Sequence, residues 1–185
     1  MIEPVEPAPA VPKTGNKSIL ITHYVAILDS CGYCQFCADG SVSTAQITET
    51  YVWNQDHRGT LKANKGHWTI AEELEEGMFE LCRNNGAFKT WKGDTHMGWS
   101  VCPQNDNLIV IGTGVNNEGK YIDVKVAKFV EGNKGMWHGY PIDYRMTRED
   151  TICDNAMECW VHMGFIDKSE IQDIKLKEDS SLICE

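Results

Sequence analysis

The sequence lacks the features that mark membrane, secreted and nucleic-acid-binding proteins. No apolar run approaches the length of a membrane span, and residues 1–16 contain no basic segment followed by an apolar stretch, so we expect no secretory signal. Basic residues are in the minority, since 17 Lys and Arg stand against 27 Asp and Glu and give a formal net charge of −10. Affinity for nucleic acid depends mainly on neutralised phosphates, and no segment concentrates the basic residues. We therefore expect neither a membrane nor a nucleic acid as partner; a basic protein partner, or no charged partner, fits better.

The sequence also lacks the common catalytic signatures. It contains no phosphate-binding glycine-rich loop, His-Glu-x-x-His helix, calcium loop, serine nucleophile elbow or dinucleotide fingerprint. Gly112-Thr113-Gly114 follows a predicted strand, but an extended segment comes next and not a helix, so it indicates a turn. Together with the acidic charge, these absences favour a small intracellular, cytoplasmic protein-binding or regulatory module. They leave open whether the chain is an enzyme and whether it forms oligomers.

The composition is that of a folded globular protein. Hydrophobic residues make up 42% and charged residues 24% of the 185 positions, and this length is enough to bury a core. Four of the six prolines fall within the first twelve residues, so we expect a flexible, proline-rich tail at residues 1–17. We further expect an α+β body at residues 18–148, a helical hairpin at residues 149–176 in the same domain, and a tail at residues 177–185.

Runs of β-branched and aromatic residues predict an antiparallel sheet. The predicted strands are residues 18–28, 44–53, 98–101, 107–112 and 120–130. In the last of them Ile122, Val124 and Val126 alternate with more polar residues, as is typical of a strand with one buried face. Residues 113–119 are turn formers and predict a hairpin, so a meander is the simplest topology.

Two regions have the periodicity of helices. Thr69-Ile70-Ala71-Glu72 matches a capping box, acidic residues follow it, and Gly86 stands where a helix would end. Residues 152–163 carry an apolar stripe that Gly164 ends, and a second short helix follows. Phe165 is expected to fold back onto the first of these helices as part of a C-cap. The predicted fold class is α+β, an antiparallel sheet of hairpins or a meander packed by one helix, with a C-terminal helical hairpin.

The cysteines suggest a metal loop. Eight cysteines without a secretory signal favour reduced thiols or metal ligands over disulfides. Cys31, Cys34 and Cys37 recur at three-residue spacing, and three thiolates on a tight loop can converge on a soft cation, for which zinc is the default. A closed structural site needs a fourth ligand, for which His57 and Cys102 are candidates. Free thiols packed into the core and a redox dithiol are the alternatives, so the cofactor is either zinc or none.

Histidines beside aromatic residues form a second group of candidates. His96 and His138 could act as an acid/base pair, with Asp94 orienting one of them and Lys92 or Arg145 stabilising an oxyanion. This alternative hypothesis of a small His-dependent hydrolase or nuclease requires both imidazoles to face one cleft. A structural role is favoured, in which the rings anchor loops to the sheet, because no signature fixes a nucleophile.

A short aromatic segment is the candidate site for a protein partner. Trp137, Tyr140, Tyr144 and Arg145 lie close together in the sequence, and these residue types dominate protein interfaces. If they are exposed together, they form a partner-binding surface. If they fold back over the core, their role is structural.

Overall fold

The structure is a computed structural model that describes residues 17–26, 44–59, 63–85, 87–90, 96–133 and 135–184. Within these ranges the strands are β1 Lys17–Ala26, β2 Thr44–Trp53, β3 His67–Trp68, β4 Phe88–Thr90, β5 His96–Val101, β6 Pro103–Gln104, β7 Asn107–Leu108, β8 Gly112–Val115, β9 Tyr121–Val124, β10 Val126–Asn133, β11 Met136–Pro141 and β12 Ile183–Cys184. The helices are α1 Glu72–Asn84, α2 Asp154–His162 and α3 Glu170–Leu176. None of these helices is long and apolar enough to cross a membrane.

Six strands form the larger sheet, in the order β1-β2-β11-β10-β5-β4. All neighbours pair antiparallel except β2 and β11, which run parallel where Thr50 and Tyr51 meet Met136 and Trp137. The predicted α+β class with a mostly antiparallel sheet is confirmed. The simple meander is not found, because the hairpin of β1 and β2 is placed beside β11 rather than beside the next strand in sequence.

A smaller four-stranded sheet has the order β12-β9-β8-β3. The predicted hairpin around residues 113–119 is present as the antiparallel pair of β8 and β9. The single strand predicted at residues 120–130 is split at Lys125, whose backbone N–H donates to the carbonyl of Leu182 at 3.0 Å. The chain changes sheets there, so β9 lies in the small sheet and β10 in the large one. Val124 and Val126 are both fully buried, so the alternation of apolar and polar residues continues across the break. The sequence pattern therefore does not reveal the break.

Helix α1 covers one face of the large sheet. Met78, Phe79 and Cys82 form its buried apolar side. The helix begins at Glu72 without a side-chain cap, because the backbone N–H of Thr69 donates to Ile111 at 3.0 Å and extends the pairing of β3 with β8. The predicted helix is therefore confirmed, but the capping box is not its start signal.

Glycines on the helix-facing side of the sheet let α1 approach closely. Gly98, Phe129 and Gly139 are register partners across β5, β10 and β11. A Cβ atom on Gly98 would lie 2.2 Å from Cys82 Sγ, and one on Gly139 would lie 2.5 Å from the ring of Phe129. The space that these glycines leave is filled by packed aromatic rings, with Phe79 5.6 Å from Phe129 between ring centroids.

The C-terminal helical hairpin is present. Gly164 has a φ of +75° at the end of α2, and the N–H of Phe165 donates to Trp160 at 2.7 Å, which is the predicted C-cap. The following segment is not the tail that we expected at residues 177–185. Tyr144 donates its hydroxyl hydrogen to the carbonyl of Glu178, Leu182 is fully buried, and β12 completes the small sheet.

Candidate functional site

The four residues predicted to bind a partner are not exposed together. Trp137 and Tyr144 are fully buried, because the alternation of β11 turns Trp137 towards α1. Arg145 is half-buried and donates from Nε and Nη2 to Asp143, each at 2.9 Å. Tyr140 is half-buried at the edge of a cleft. This segment therefore takes the structural role that was the alternative interpretation.

Trp137 belongs to a buried ion-pair cluster. Arg83 donates from Nε and Nη2 to the two carboxylate oxygens of Glu49, at 2.8 and 2.9 Å, and Trp137 Nε1 donates to the same carboxylate at 2.9 Å. The guanidinium also lies 4.2 Å from the ring centroid of Phe88 and 4.7 Å from that of Trp137. Glu49 is only 9% exposed and Arg83 only 4%, so each charge depends on the other for compensation.

A second carboxylate, Glu75, lies fully buried on the inner side of α1, about two helical turns before Arg83. It accepts hydrogen bonds from the hydroxyl of Tyr51 at 2.5 Å and from the guanidinium of Arg58. Burial raises the pKa of Glu75, and these two donors oppose that shift. The polar groups on the inner side of α1 thus act within the fold and are not offered to a ligand.

The two histidines of the hydrolase hypothesis lie on opposite faces of the large sheet. Met97, Val130 and His138 are register partners across β5, β10 and β11, so their side chains point to one face. His96 precedes Met97 on the strand and points to the other face, where its ring lies 6.4 Å from that of Trp137. The shared cleft that the hypothesis requires is not formed, and we do not propose a hydrolase or nuclease.

His96 has a structural partner instead. Its Nδ1 atom lies 2.7 Å from Glu131 Oε2, and Glu131 also accepts from the backbone N–H of Gly135 at 2.8 Å. These contacts close the connection between β10 and β11. Lys92 and Asp94, the other members of the hypothesis, lie outside the described residues.

His57 and His138 flank the ring of Tyr140. The imidazole of His57 stacks on Tyr140 with 4.9 Å between centroids and 17° between planes, and its Nδ1 atom lies 2.8 Å from the carbonyl oxygen of Gly66. Burial lowers the pKa of His57 to about 4, and burial with the nearby charge of Lys65 lowers that of His138. His57 is therefore uncharged near neutral pH and holds Tyr140 in place.

The zinc loop stays a prediction, because Cys31, Cys34 and Cys37 lie outside the described residues. In the part of the chain that the structure describes, no group of three or more His, Cys, Asp and Glu residues could hold a metal ion. Of the two candidates for a fourth ligand, His57 is held by Gly66 and Cys102 is a buried free thiol whose pKa is raised by burial.

An apolar groove runs along the outer side of α1, where the helix meets the end of β5. We call it the α1 groove; it has a volume of about 270 Å³. Its apolar lining is Leu74, Gly77, Met78, Leu81, Val101, Cys102 and Pro103. Met78 and Val101 are buried beneath it, whereas Leu74 is 37% exposed. The fold therefore leaves apolar surface open beside the helix.

Glu73 lines the α1 groove, and Glu76 and Glu80 follow it along the same helix; we call these three carboxylates the acidic ridge. Their spacing of three and four residues places them on one stripe of the helix. Partial burial, and then the charges of Glu80 and Glu73, raise the pKa of Glu76. Within the described residues none of the three forms an ion pair, whereas Glu72 just before them is paired with Lys17. The ridge is thus a concentrated negative charge next to apolar surface.

Gly77 lies at the centre of the α1 groove. It is exposed in the middle of a 13-residue helix and has no positive φ, and a Cβ atom there would meet no atom of the described residues within 4 Å. A glycine inside a helix is less favourable than alanine by about 1 kcal/mol. Neither its own backbone conformation nor its packing against the described residues requires a glycine at this position.

The sequence contained signals for this surface that we assigned to the helix alone. In the sequence alone, glutamates near the start of α1 are explained by their favourable interaction with the helix N-terminus. An isolated glycine inside a strong helical pattern, as at Gly77, is the signal that could have drawn attention to this position. Comparisons with protein families, with curated proteins and with solved structures found no match for this chain.

Proposed function

We propose that the chain is a protein-binding module whose α1 groove takes a basic, amphipathic segment of its partner. The observation that carries this proposal is Gly77, an exposed helix glycine that lines an apolar groove together with Glu73 of the acidic ridge. Binding of an amphipathic helix in a hydrophobic groove is a recurrent mode of peptide recognition. The partner would place apolar side chains against Leu74 and Leu81.

The absent side chain of Gly77 supports a close approach. Because no atom of the described residues lies within 4 Å of its missing Cβ atom, the space in front of Gly77 can take a group of another molecule. A partner backbone or a bulky apolar side chain can reach the helix there without displacing an atom. We expect the free energy gained on binding to offset the lower helix stability that glycine causes relative to alanine.

Charge supports the basic character of the partner. The acidic ridge presents three carboxylates to solvent on a chain whose formal net charge is −10. Lysine or arginine side chains beside the ridge would offset the repulsion from Glu80 and Glu73, which adds to the effect of burial in raising the pKa of Glu76. Such complementary charges accelerate association and discriminate against acidic partners, and their effect falls with salt.

The first expected result concerns the helix itself. Gly77→Ala should raise the free energy of unfolding by about 1 kcal/mol, because alanine restricts the unfolded chain and suits an exposed helix interior. Urea denaturation followed by circular dichroism measures this change. A lower stability for Gly77→Ala would mean that the glycine serves the fold, and would remove the observation on which the proposal rests.

The second expected result concerns binding. A synthetic amphipathic helical peptide of leucine and lysine should bind the full chain, and the same peptide with glutamate in place of lysine should not. Gly77→Leu fills the groove and should weaken binding by at least about tenfold. Replacing Glu73, Glu76 and Glu80 by Gln should weaken it by about tenfold at low salt and by less at high salt. Fluorescence anisotropy of the labelled peptide measures both effects.

The matched control replaces three exposed glutamates far from the groove. Glu149, Glu158 and Glu178 are exposed, and changing them to Gln removes the same total charge. Binding should be nearly unchanged in this variant. Equal binding of the lysine and glutamate peptides, or a Gly77→Leu variant that binds like the parent chain, would contradict the proposal.

A further inference from the structure

A second concave surface shares no lining residue with the α1 groove and has a more polar lining. We call it the Tyr140 cleft; it lies between the turn that joins β8 to β9, the segment before β3 and the chain that follows β11, and its volume is about 390 Å³. Its polar lining includes Asn64, Asn116, Asn117, Tyr140, Asp143 and Asp150. This volume is within the range of small-molecule sites.

The walls of the Tyr140 cleft are held by close backbone packing. A Cβ atom on Gly66 would lie 2.0 Å from the carbonyl oxygen of Pro141, and one on Gly114 would lie 2.6 Å from the backbone nitrogen of Asp143. Tyr140 is fixed from behind by the stacked ring of His57. The cleft is therefore preformed, which lowers the cost of ordering a site when a ligand binds.

The charges that line the Tyr140 cleft are already neutralised. Asp143 accepts two hydrogen bonds from the guanidinium of Arg145, each at 2.9 Å. Asp150 accepts from Lys128 Nζ at 3.0 Å and from the hydroxyl of Thr147 at 2.7 Å. No other charged residue belongs to the described lining. A phosphate would find no unpaired cation there, and a metal ion or an amine would have to compete with Arg145 or Lys128.

The remaining polar groups are uncharged. Asn116 accepts with its side-chain oxygen from the backbone N–H groups of Glu118 and Lys120, at 3.0 and 2.9 Å, which leaves its amide N–H groups as donors. Burial raises the pKa of Tyr140, so its hydroxyl stays protonated and can both donate and accept. Asn64 and Asn117 add two further amides.

Apolar atoms complete the lining of the cleft. Val115, Pro141, Ile142 and Met146 belong to the same lining as the amides and the carboxylates. A ligand that fits this arrangement has hydroxyl groups that both donate and accept, and C–H faces that contact apolar side chains. It carries no net charge.

We propose that the Tyr140 cleft binds a neutral saccharide. The amides and the tyrosine hydroxyl bond the sugar hydroxyls, the neutralised carboxylates of Asp143 and Asp150 accept from them, and Met146 and Pro141 contact the C–H face of the ring. This site is separate from the α1 groove, and it neither depends on nor supports the peptide binding proposed there.

The test is saturation-transfer difference NMR of the full chain with a panel of neutral disaccharides that comprises maltose, cellobiose, lactose and chitobiose. At least one sugar is expected to bind with a dissociation constant in the millimolar range or below. Tyr140→Phe keeps the stacked ring and removes the hydroxyl, and should weaken binding by about tenfold. Asn117→Ala should weaken it several-fold. Asn107→Ala, an exposed asparagine that lies outside the lining, is the matched control and should bind as the parent chain does.

The same chemistry could come from a free sugar or from the end of a glycan chain, and an array of immobilised neutral glycans separates the two sources. Binding to the array alone would assign the cleft to glycan chains and would support the proposal if Tyr140→Phe reduces it. Absence of binding to both the panel and the array would overturn it. So would binding of inorganic phosphate in place of sugars, or a sugar whose affinity is the same in Tyr140→Phe.

Discussion

Arg83→Met is expected to lower the free energy of unfolding by about 3–5 kcal/mol, the typical result of removing one partner from a buried ion pair. The carboxylate of Glu49 would lose its two hydrogen bonds from Arg83, at 2.8 and 2.9 Å, and keep the one from Trp137. The variant would also lose the contacts of the guanidinium with the rings of Phe88 and Trp137. Urea denaturation monitored by tryptophan fluorescence measures the loss.

The control for this prediction is the double variant Glu49→Gln with Arg83→Met. It removes both charges, and the neutral amide still offers an oxygen to Trp137 Nε1, so most of the lost stability should return. If Arg83→Met alone costs less than about 1 kcal/mol, Glu49 and Arg83 do not depend on one another in the way that their geometry indicates.

Acid is expected to destabilise the fold through His57. Its pKa is about 4 in the folded chain because of burial, against about 6.5 for an unperturbed histidine. Between these two values the unfolded chain binds a proton that the folded chain does not, so stability rises with pH in this window. As the pH falls from above 6.5 to below 4, the titration of His57 should lower the free energy of unfolding by up to roughly 3 kcal/mol.

The comparison with His57→Gln isolates this contribution. Glutamine does not titrate, so the difference in unfolding free energy between the parent chain and the variant should shrink as the pH falls from 7.5 to 4.5. Other titrating groups, such as Glu75 with its raised pKa, are present in both chains and cancel in the difference. Parallel curves for the two proteins over this range would contradict the assignment.

Sequence patterns correctly predicted the elements that are determined by residues close together in the chain. The bounds of β2 and the C-cap at Gly164 follow from β-branched runs and from a glycine with positive φ, and both are present. The break at Lys125 could not be predicted in this way. Its cause is a hydrogen bond to Leu182, far along the chain, and the alternating pattern on either side is uninterrupted.

The position of Trp137 illustrates the same limit for the candidate site. Its sequence neighbours suit an exposed interface as well as a packed strand. Trp137 can be buried because Glu49 accepts a hydrogen bond from its indole N–H and the guanidinium of Arg83 packs against its ring. The α1 groove was missed for a different reason. Each of its glutamates has an ordinary explanation within a helix, and only the space in front of Gly77 shows that the surface is open.

The parallel pairing of β2 with β11 also has a kinetic consequence. Glu49 and Trp137, which meet at this junction, are 88 positions apart in the sequence, whereas β10 and β11 are joined by a short connection. Closing a long loop costs more chain entropy than closing a short one, and a topology with many such distant contacts folds slowly. The rate-limiting step of folding should therefore be the arrival of the β1 and β2 hairpin at an already formed β10 and β11 pair, with the Glu49–Arg83 contact among the last to be made.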